Sequence, residues 1–213
     1  MPMSEINSAN PVAVIIPTFN RLEFTKICLN AFLKYTNFRL VHSVTVYDNH
    51  SEDGTFEYLK TLDLNVIQGN FPNANCSINS FVSSHKNSNV KYLLKLDNDR
   101  VVKKDWLDVC HNFMITRPTV GTLFFCKRTG SYFPSPSNEH GGNWITPFFL
   151  LKKFGAFPDK GKYPGCHTYH RFVSDNNYQR FAIPDLAIDL SHLPVYDDLV
   201  KFYNQKGYMR LIG

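Results

Sequence analysis

The chain has 213 residues, of which 43% are hydrophobic and 19% charged, and its net charge is +5. A chain of this length fits one domain that buries roughly 70% of its unfolded surface, and its composition is globular, not disordered or fibrous. The sequence contains no run of about 18 apolar residues, the length needed to cross a bilayer. Its first residues lack the basic flank and the apolar stretch of a secretion signal. We therefore expect one cytoplasmic domain over residues 1–213.

Cysteine spacing and charge distribution narrow the class of protein further. The five cysteines are odd in number and show no C-x-x-C spacing, which argues against a disulfide framework and against a zinc knuckle. Residues 100–162 hold ten Lys and Arg against four Asp and Glu, whereas the remaining residues hold thirteen against fourteen. Such a basic surplus can attract anionic partners, although a solvated surface is the more common explanation.

Through residue 126, apolar strand-like segments alternate with helical patterns, as in proteins built from parallel βα units. Strands are predicted over residues 12–16, 41–47, 64–67, 90–96 and 119–126. Helices are predicted between them, over residues 24–35, 55–62, 74–85 and 105–115, where apolar residues recur at helical spacing. We therefore expect an α/β fold with an open, mostly parallel sheet flanked by helices.

The second half of the chain is less regular. After Lys127, Pro, Ser and Gly residues mark a long loop, and loops of that length usually carry function. Thr146 is expected to cap a helix with Pro147 at its first position and Gly155 at its end, which predicts a helix over 148–154. A late strand and a final helix are predicted over residues 187–190 and 194–205.

Polar residues follow the first, second and fourth predicted strands at the point where each strand ends. These segments are residues 17–21, 48–54 and 97–100. The carboxyl ends of parallel strands share one edge of a sheet, and open α/β proteins bind ligands there. Each cluster alone is typical of ordinary turns and helix caps, but three clusters on one edge indicate a shared ligand site.

The kind of ligand follows partly from motifs that the chain lacks. Neither G-x-G-x-x-G after the first strand nor G-x-x-x-x-G-K-[ST] occurs, so a phosphate group would need another counter-charge. Asp97 and Asp99 supply the hard oxygen ligands that Mg²⁺ or Mn²⁺ prefers, and such a cation can neutralise a diphosphate. The spacing therefore predicts a divalent-metal site at the end of the fourth strand.

Three segments together resemble the family 2 glycosyltransferases of the GT-A fold: VAVIIPTFNR (12–21), VTVYDNHSEDGT (44–55) and LLKLDNDRVV (93–102). The resemblance covers roughly residues 10–160 and extends more weakly to about residue 192. It implies an inverting transfer from a nucleotide sugar, with a UDP-sugar favoured over TDP- or GDP-sugars. It also implies a donor half over about 10–105 and an acceptor half over about 106–213.

The resemblance assigns roles position by position. The residues implied to bind the nucleotide sugar are Pro17, Thr18, Asn20, Arg21, Asp48, Asp53, Gly69, Asn79, Asp97 and Asn98, with Gly69 and Asn79 the looser matches. The residues implied to bind Mn²⁺ or Mg²⁺ are Asp97, Asp99 and His192. His192 matches a late histidine that completes the metal shell in some relatives, although a lone histidine is more often structural.

The general base is expected on a carboxylate after a short helix. The segment KFGAFPD (153–159) resembles the family's Gly-Gly-Phe-Asp turn, which makes Asp159 the first candidate, although a loop carboxylate can also simply face water. The adjacent acidic pair of many relatives is not evident around residues 166–171. His167 and His170 occur there instead, so a histidine is the alternative base and Asp175 a more remote one.

Aromatic residues lie where relatives receive the acceptor. They are Tyr132, Phe133, Trp144, Phe148 and Phe149. We expect Trp144 to contact the acceptor, and Phe148 and Phe149 to pack in the core. The basic surplus favours an anionic acceptor, namely a phosphorylated glycan, a lipid carrier or a nucleic acid, and any membrane attachment would be peripheral.

Two other functions stay open on the sequence alone. A nucleotidyltransferase that makes the nucleotide sugar shares this architecture, but its Gly-rich first loop with following Arg and Lys is absent. A non-catalytic module that binds a sugar or a nucleotide is compatible with the absence of the acidic pair. An assay that separates nucleotide release, pyrophosphate exchange and simple binding distinguishes all three.

Overall fold

The computed structural model describes residues 5–71, 73–126, 143–157 and 164–190. The strands, numbered along the chain, are β1 (Val12–Thr18), β2 (Val41–Asp48), β3 (Asn65–Gln68), β4 (Tyr92–Lys95), β5 (Arg100–Val102), β6 (Val120–Cys126), β7 (Trp144–Pro147) and β8 (Gln179–Asp189). The helices are α1 (Leu22–Tyr35), α2 (Thr55–Lys60), α3 (Ala74–Ser84), α4 (Trp106–Ile115), α5 (Phe148–Phe154) and α6 (Pro164–Asp175), with a 3-10 turn at Phe38–Leu40.

The described strands form one mixed sheet in the order β3-β2-β1-β4-β7-β6-β8-β5. Strand β1 is parallel to β2 and β4, β2 is parallel to β3, and β6 is parallel to β8. Strand β7 is antiparallel to both of its neighbours, and β5 is antiparallel to β8. Four of these seven pairings are parallel, so the prediction of an open, mostly parallel sheet is confirmed.

The register brings the polar strand ends to one edge of the sheet. Thr18 pairs with Asp48, and Asp48 pairs with Gln68, where β1, β2 and β3 end. Strand β7 runs in the opposite direction and therefore begins at the same edge, and Asp189, the last residue of β8, pairs with Arg100. We call this edge, with Thr18, Asp48, the 97–100 loop and Asp189, the polar edge.

Two hydrophobic cores cover the two faces of the sheet, and β1 contributes to both. Val12, Val14 and Ile16 pack in one core, whereas Ala13 and Ile15 pack in the other. All five side chains are fully buried. A continuous apolar segment is therefore required here, because helices cover both faces of a central parallel strand.

Strand β7 corrects the prediction for residues 146 and 147. Thr146 and Pro147 belong to β7, so Thr146 does not cap the helix and Pro147 is not its first residue. Helix α5 begins at Phe148 and ends at Phe154, as predicted. The Thr146 hydroxyl is buried and bonds the Gly121 carbonyl and the Tyr169 hydroxyl. Its hydrogen bonds are therefore tertiary ones, which a local capping pattern does not anticipate.

Three elements were not predicted: β5, β7 and α6. Strands β5 and β7 have three and four residues, too few to show a period. Helix α6 begins with Pro164 and Gly165, and its polar composition obscures a helical pattern. Strand β8 begins at Gln179, whereas the sequence predicts a strand only from residue 187. The prediction starts late because Pro184 and Asp185 interrupt the apolar pattern.

Predictions about the whole chain have different outcomes. Among the described residues, no helix is both long enough and apolar enough to span a membrane. The single domain, its donor and acceptor halves and the cytoplasmic location stay predictions. The helix predicted over 194–205 and the aromatic residues Tyr132 and Phe133 lie outside the described residues.

Candidate active site

The loop after β1 is a strained turn that the second polar loop holds in place. Asn20 and Arg21 both adopt left-handed backbone conformations, with φ of 53° and 66°, which cost about 1–3 kcal/mol each for residues with a side chain. The Asn20 amide donates to Ser51 Oγ at 2.7 Å, and Asn20 Oδ1 accepts from the Glu52 amide at 2.8 Å. These bonds stabilise the turn and fix the backbone from which Arg21 extends.

Asp53 holds the starts of two helices. Its Oδ2 accepts from the Leu22 amide at the start of α1 at 2.8 Å. Its Oδ1 accepts from the Thr55 amide at 3.1 Å and from the Thr55 hydroxyl at the start of α2. Both carboxylate oxygens therefore satisfy groups at helix N-termini. Asp53 thus fixes the loops after β1 and β2 relative to each other.

Asp48 ties the ends of β1, β2 and β3 together. Its carboxylate is fully buried, and its Oδ1 accepts from the hydroxyls of Thr18 and Ser51. Its Oδ2 accepts from the Ser51 amide and from Gln68 Nε2, both at 3.0 Å. These donors satisfy the hydrogen-bonding capacity of the buried carboxylate. Asp48 therefore fixes the positions of the neighbouring loops.

Three further predicted nucleotide contacts lie beside these loops. Pro17 is half-buried in β1, and Asn98 is buried with its Nδ2 donating to the Thr25 hydroxyl of α1 at 2.9 Å. The Gly69 amide donates to the Asp48 carbonyl at 3.0 Å. A Cβ on Gly69 would lie 3.0 Å from the Phe71 ring, so this backbone fits closely under an aromatic side chain.

Asp97 is held from two sides. Its Oδ1 forms an ion pair with Lys95, a side chain that is only 3% exposed. Its Oδ2 accepts from Asn143 Nδ2 at 3.2 Å, and its backbone amide donates to Asn143 Oδ1 at 2.6 Å. Burial alone would raise the pKa of Asp97, but Lys95 and Arg100 lower that pKa below its ordinary value. The carboxylate is therefore held in its charged form.

Asp99 is the second carboxylate of this loop, and it has a different environment. Its Oδ1 lies 2.8 Å from Arg100 Nη1, and its Oδ2 lies 3.5 Å from Arg21 Nη1. The same Arg100 nitrogen lies 2.8 Å from Asp189 Oδ2. Burial raises the pKa of Asp99 in spite of Arg100, and Asp97 raises it further. Positive charge near Asp99 is therefore insufficient to compensate its burial.

Asp97 and Asp99 are the two carboxylates of this loop that could bind a divalent cation. Asp99 supplies hard oxygen ligands, and a quarter of its side chain is exposed, so a cation can reach it. The two oxygens of Asp97 already bind Lys95 and Asn143. The two oxygens of Asp99 face Arg100 and Arg21, so a cation would replace existing contacts at either carboxylate. Within the described ranges, no group of three or more His, Cys, Asp or Glu side chains could hold a metal ion.

Asn79 connects α3 to the end of the described segment before residue 158. Its Nδ2 donates to the Phe157 carbonyl, and its Oδ1 accepts from the Phe157 amide, both at 2.8 Å. In this structure its amide therefore binds the backbone two residues before Asp159. A cavity of about 400 Å³ adjoins this contact and is lined by Asn79, Val82, Ser83, Lys86, Lys152, Gly155 and Ala156.

The comparison with protein families gives a direct result. The family described as Glycosyl transferase family 2 matches residues 13–177, which is most of the chain and includes all three polar segments. The chain belongs to glycosyltransferase family 2. The resemblance described from the sequence is thereby confirmed.

Solved structures agree with this family. The fragment 1–349 of S. aureus TarS has a TM-score of 0.66 and 18% identity, and the match covers 90% of this chain and 64% of that one. Its complex with UDP-GlcNAc has a TM-score of 0.68 and 17% identity, with coverage of 90% and 65%. The mannosyltransferase PcManGT from Pyrobaculum calidifontis, in complex with GDP-Man and Mn²⁺, has a TM-score of 0.65 and 18% identity, with coverage of 91% and 61%.

These likenesses confirm the predicted GT-A fold. The chain spans less than two thirds of the length of these solved structures. No curated protein sequence matches the chain. Family 2 membership and the GT-A fold are therefore shown, whereas the substrates are a matter for the proposal below.

The structure leaves some of the predicted site residues undescribed and gives others a structural environment. Asp159 and His192 are outside the described residues, and so is the side chain of His167. His170 is buried with its ring 4.9 Å from that of Phe124. Asp175 is exposed where α6 leads into the start of β8, which is the end of the sheet opposite the polar edge.

The aromatic predictions have mixed outcomes. Trp144 is 1% exposed in β7 and packs near Tyr169, so the expectation that it presents a face to the acceptor is wrong. Phe148 packs in the core as expected. Phe149 is half exposed and contacts Tyr178, so its assignment to the core is wrong. Successive helix residues point about 100° apart, so Phe149 lies beyond the edge of the buried side of α5 that includes Phe148.

Four residues of this family 2 site were not predicted from the sequence: Lys95, Arg100, Asn143 and Asp189. Lys95 and Arg100 flank the D-x-D motif, and a charged residue inside a buried strand segment is the one signal that the sequence offered for Lys95. Asn143 and Asp189 reach Asp97 and Arg100 only because β7 and β8 join the sheet beside them.

Proposed function

We propose that this chain is a metal-dependent, inverting glycosyltransferase that moves a sugar from a nucleotide sugar, with a UDP-sugar favoured, to a hydroxyl acceptor. The observation that carries the proposal is the meeting of two polar segments at Asp99, where Arg21 from the loop after β1 and Arg100 at the start of β5 both approach the carboxylate. Two similar structures contain UDP-GlcNAc and GDP-Man with Mn²⁺, which supports the donor class and the metal.

Asp99 is the proposed protein ligand of Mn²⁺ or Mg²⁺, and Asp97 in the same loop is proposed to bind the nucleotide sugar and its metal from beside it. His192 and the donor diphosphate would supply further ligands, in agreement with the family pattern. When bound, the cation supplies positive charge opposite the diphosphate as negative charge develops on it. Arg21 and Arg100 add fixed positive charge at the same place, and the buried ion pair with Asp189 keeps Arg100 oriented.

Asp159 is the proposed general base. A single displacement needs one group to accept the proton of the acceptor hydroxyl, and it inverts the anomeric centre. Asn79 binds both polar groups of the Phe157 backbone, so α3 holds the described chain up to the second residue before Asp159 in the sequence.

An anionic acceptor is also proposed, on a narrower basis than the sequence indicated. Arg100 is buried in ion pairs with Asp99 and Asp189 and cannot serve an acceptor. The described basic residues of the 100–162 segment that remain are Lys103, Lys104, Arg117, Lys152 and Lys153. Lys152 lines the cavity beside Asn79, which supports recognition of a phosphate-bearing acceptor on that side.

A nucleotide-release assay tests the proposal. The purified chain is incubated with Mn²⁺ and a panel of UDP-, TDP- and GDP-sugars, and free nucleoside diphosphate is measured. We expect slow metal-dependent hydrolysis of one donor, loss of that activity in Asp99→Asn, and full activity in Asp63→Asn, an exposed carboxylate away from the polar edge. Pyrophosphate exchange would instead support a nucleotidyltransferase, and binding without turnover a non-catalytic module.

A further inference from the structure

We propose that Asn143 is a positioning residue for the donor site, which acts by fixing the carboxylate of Asp97. The inference rests on the proposed function and deepens it, because it assigns a role to a residue outside the three polar segments. Asn143 directly precedes β7 and is completely buried. Its amide side chain faces Asp97 with both of its ends.

The contact between Asn143 and Asp97 fixes backbone and side chain together. Asn143 Oδ1 accepts from the Asp97 backbone amide at 2.6 Å, and Asn143 Nδ2 donates to Asp97 Oδ2 at 3.2 Å. The first bond holds the peptide from which the side chain begins, and the second limits rotation of the carboxylate. An amide suits both partners, since it carries one acceptor and two donors on one rigid group.

Lys95 completes the fixation from the opposite oxygen. It forms an ion pair with Asp97 Oδ1, and its side chain is almost completely buried. Because Lys95 pairs with Trp144 in the β4–β7 register, the backbone itself places Asn143 beside Asp97. The carboxylate is thus held at both oxygens, by Lys95 of β4 and by Asn143, which directly precedes the neighbouring strand β7. Loss of either partner frees the carboxylate to turn toward the other.

The chemistry of position 143 makes other residues unsuitable there. An aspartate would keep an acceptor for the Asp97 amide, but it would add negative charge next to a carboxylate and donate no hydrogen bond to it. An alanine would leave the buried Asp97 amide unpaired. Both changes alter Asp97 without touching the donor. Residues that orient a ligand-binding carboxylate typically change metal affinity or activity about 10- to 100-fold when they are replaced.

The experiment measures UDP binding by calorimetry with Mn²⁺ present, so that it does not depend on turnover. We expect Asn143→Asp and Asn143→Ala to weaken UDP binding about 10- to 100-fold. Asn143→Asp keeps the size of the side chain and an acceptor for the Asp97 amide, and the melting temperature of each variant shows whether it is folded. Thr146→Val is the matched control, because it removes a buried hydrogen bond from the same strand and should lower the melting temperature while UDP affinity stays unchanged.

A double-mutant cycle separates positioning from general destabilisation. In an Asp97→Asn background, Asn143→Ala should cause a smaller loss of UDP affinity than in the wild type, because the contact between the two side chains is already altered and only the bond to the backbone amide remains to be lost. Equal losses in both backgrounds would overturn the inference, and so would unchanged UDP affinity in both Asn143 variants. If the wild-type chain bound no nucleotide, the proposed function itself would fail and the inference with it. Wild-type binding combined with unaffected Asn143 variants would remove the inference alone.

Discussion

Arg100 and Asp189 form a buried ion pair between β5 and β8, with Arg100 Nη1 2.8 Å from Asp189 Oδ2. The two residues also face each other in the strand register, so the ion pair and the backbone ladder fix the same contact. Arg100 also contacts Asp99, so one guanidinium group connects β8 to the proposed metal ligand. Burial would lower the pKa of Arg100, but Asp99, Asp97 and Asp189 raise it above its ordinary value, so the group stays charged.

The first prediction follows from this pair. Arg100→Met removes the cation shared by buried Asp189 and partly exposed Asp99, and we expect it to reduce the free energy of unfolding by about 3–5 kcal/mol. Arg39→Met is the matched control, since Arg39 is 79% exposed and its ion pair with Glu5 should contribute about 0–1 kcal/mol. Urea denaturation measures both. Similar losses in the two variants would show that the buried pair is not special.

The second prediction concerns packing between β6 and α6. A Cβ on Gly121 would lie 2.5 Å from Val173 Cγ1 and 2.7 Å from Tyr178 Cβ, neither of which is the end of a flexible chain. Gly121→Ala should therefore cost about 1–3 kcal/mol of stability through overpacking. Gly69→Ala should cost less, because it meets the Phe71 ring at 3.0 Å and that ring can turn away. Chemical denaturation that ranked the two variants in the opposite order would contradict this packing.

The third prediction is a pH dependence. Burial, and then the neighbouring His85, lower the pKa of His42 below its ordinary value of 6.5. The unfolded chain therefore binds a proton at this site more readily than the folded chain. The contribution of His42 to the free energy of unfolding is fully present above about pH 6.5 and declines as the pH falls below that value. Urea midpoints measured between about pH 5 and pH 7.5 should fall less steeply for His42→Gln than for the wild type. Identical slopes would exclude this role for His42.

The fourth prediction concerns the buried thiols. Burial raises the pKa of Cys28 and Cys126 to about 12 and raises that of Cys110 as well. A thiol reacts as its thiolate, so these three should resist alkylation by iodoacetamide at about pH 8, whereas half-buried Cys76 reacts. Peptide mapping before and after denaturation measures this difference. Labelling of Cys28 in the native protein at the rate of Cys76 would contradict the packing around β1 and α1.

The donor half of the fold was largely predictable because its signals are local. The apolar segment at residues 12–16, the helix that follows it and the polar loops at strand ends each fall within one stretch of sequence. Parallel topology then places those loops at one edge, as the contact between Arg21 and Asp99 shows. The GT-A family follows from the same three segments.

The remaining parts of the site depend on pairings between distant segments. Asn143 looked like part of a loop, and Asp189 like the end of a short strand, yet β7 and β8 bring them to Asp97 and Arg100. The sequence places Trp144 where relatives receive the acceptor, but all four residues of the strand that it begins are buried. Arg100 counted toward a surface charge excess and is in fact buried. No local pattern encodes such contacts.

The most direct test of the central claim is the position of manganese in crystals grown with Mn²⁺ and UDP. Anomalous scattering locates the ion independently of the protein coordinates. We predict a peak within coordination distance of Asp99, about 2.0–2.6 Å for hard divalent cations bound by oxygen, with the UDP diphosphate bound to the same ion. A peak or a nucleotide elsewhere on the molecule, with Asp99 still paired only with Arg21 and Arg100, would contradict the proposed donor site.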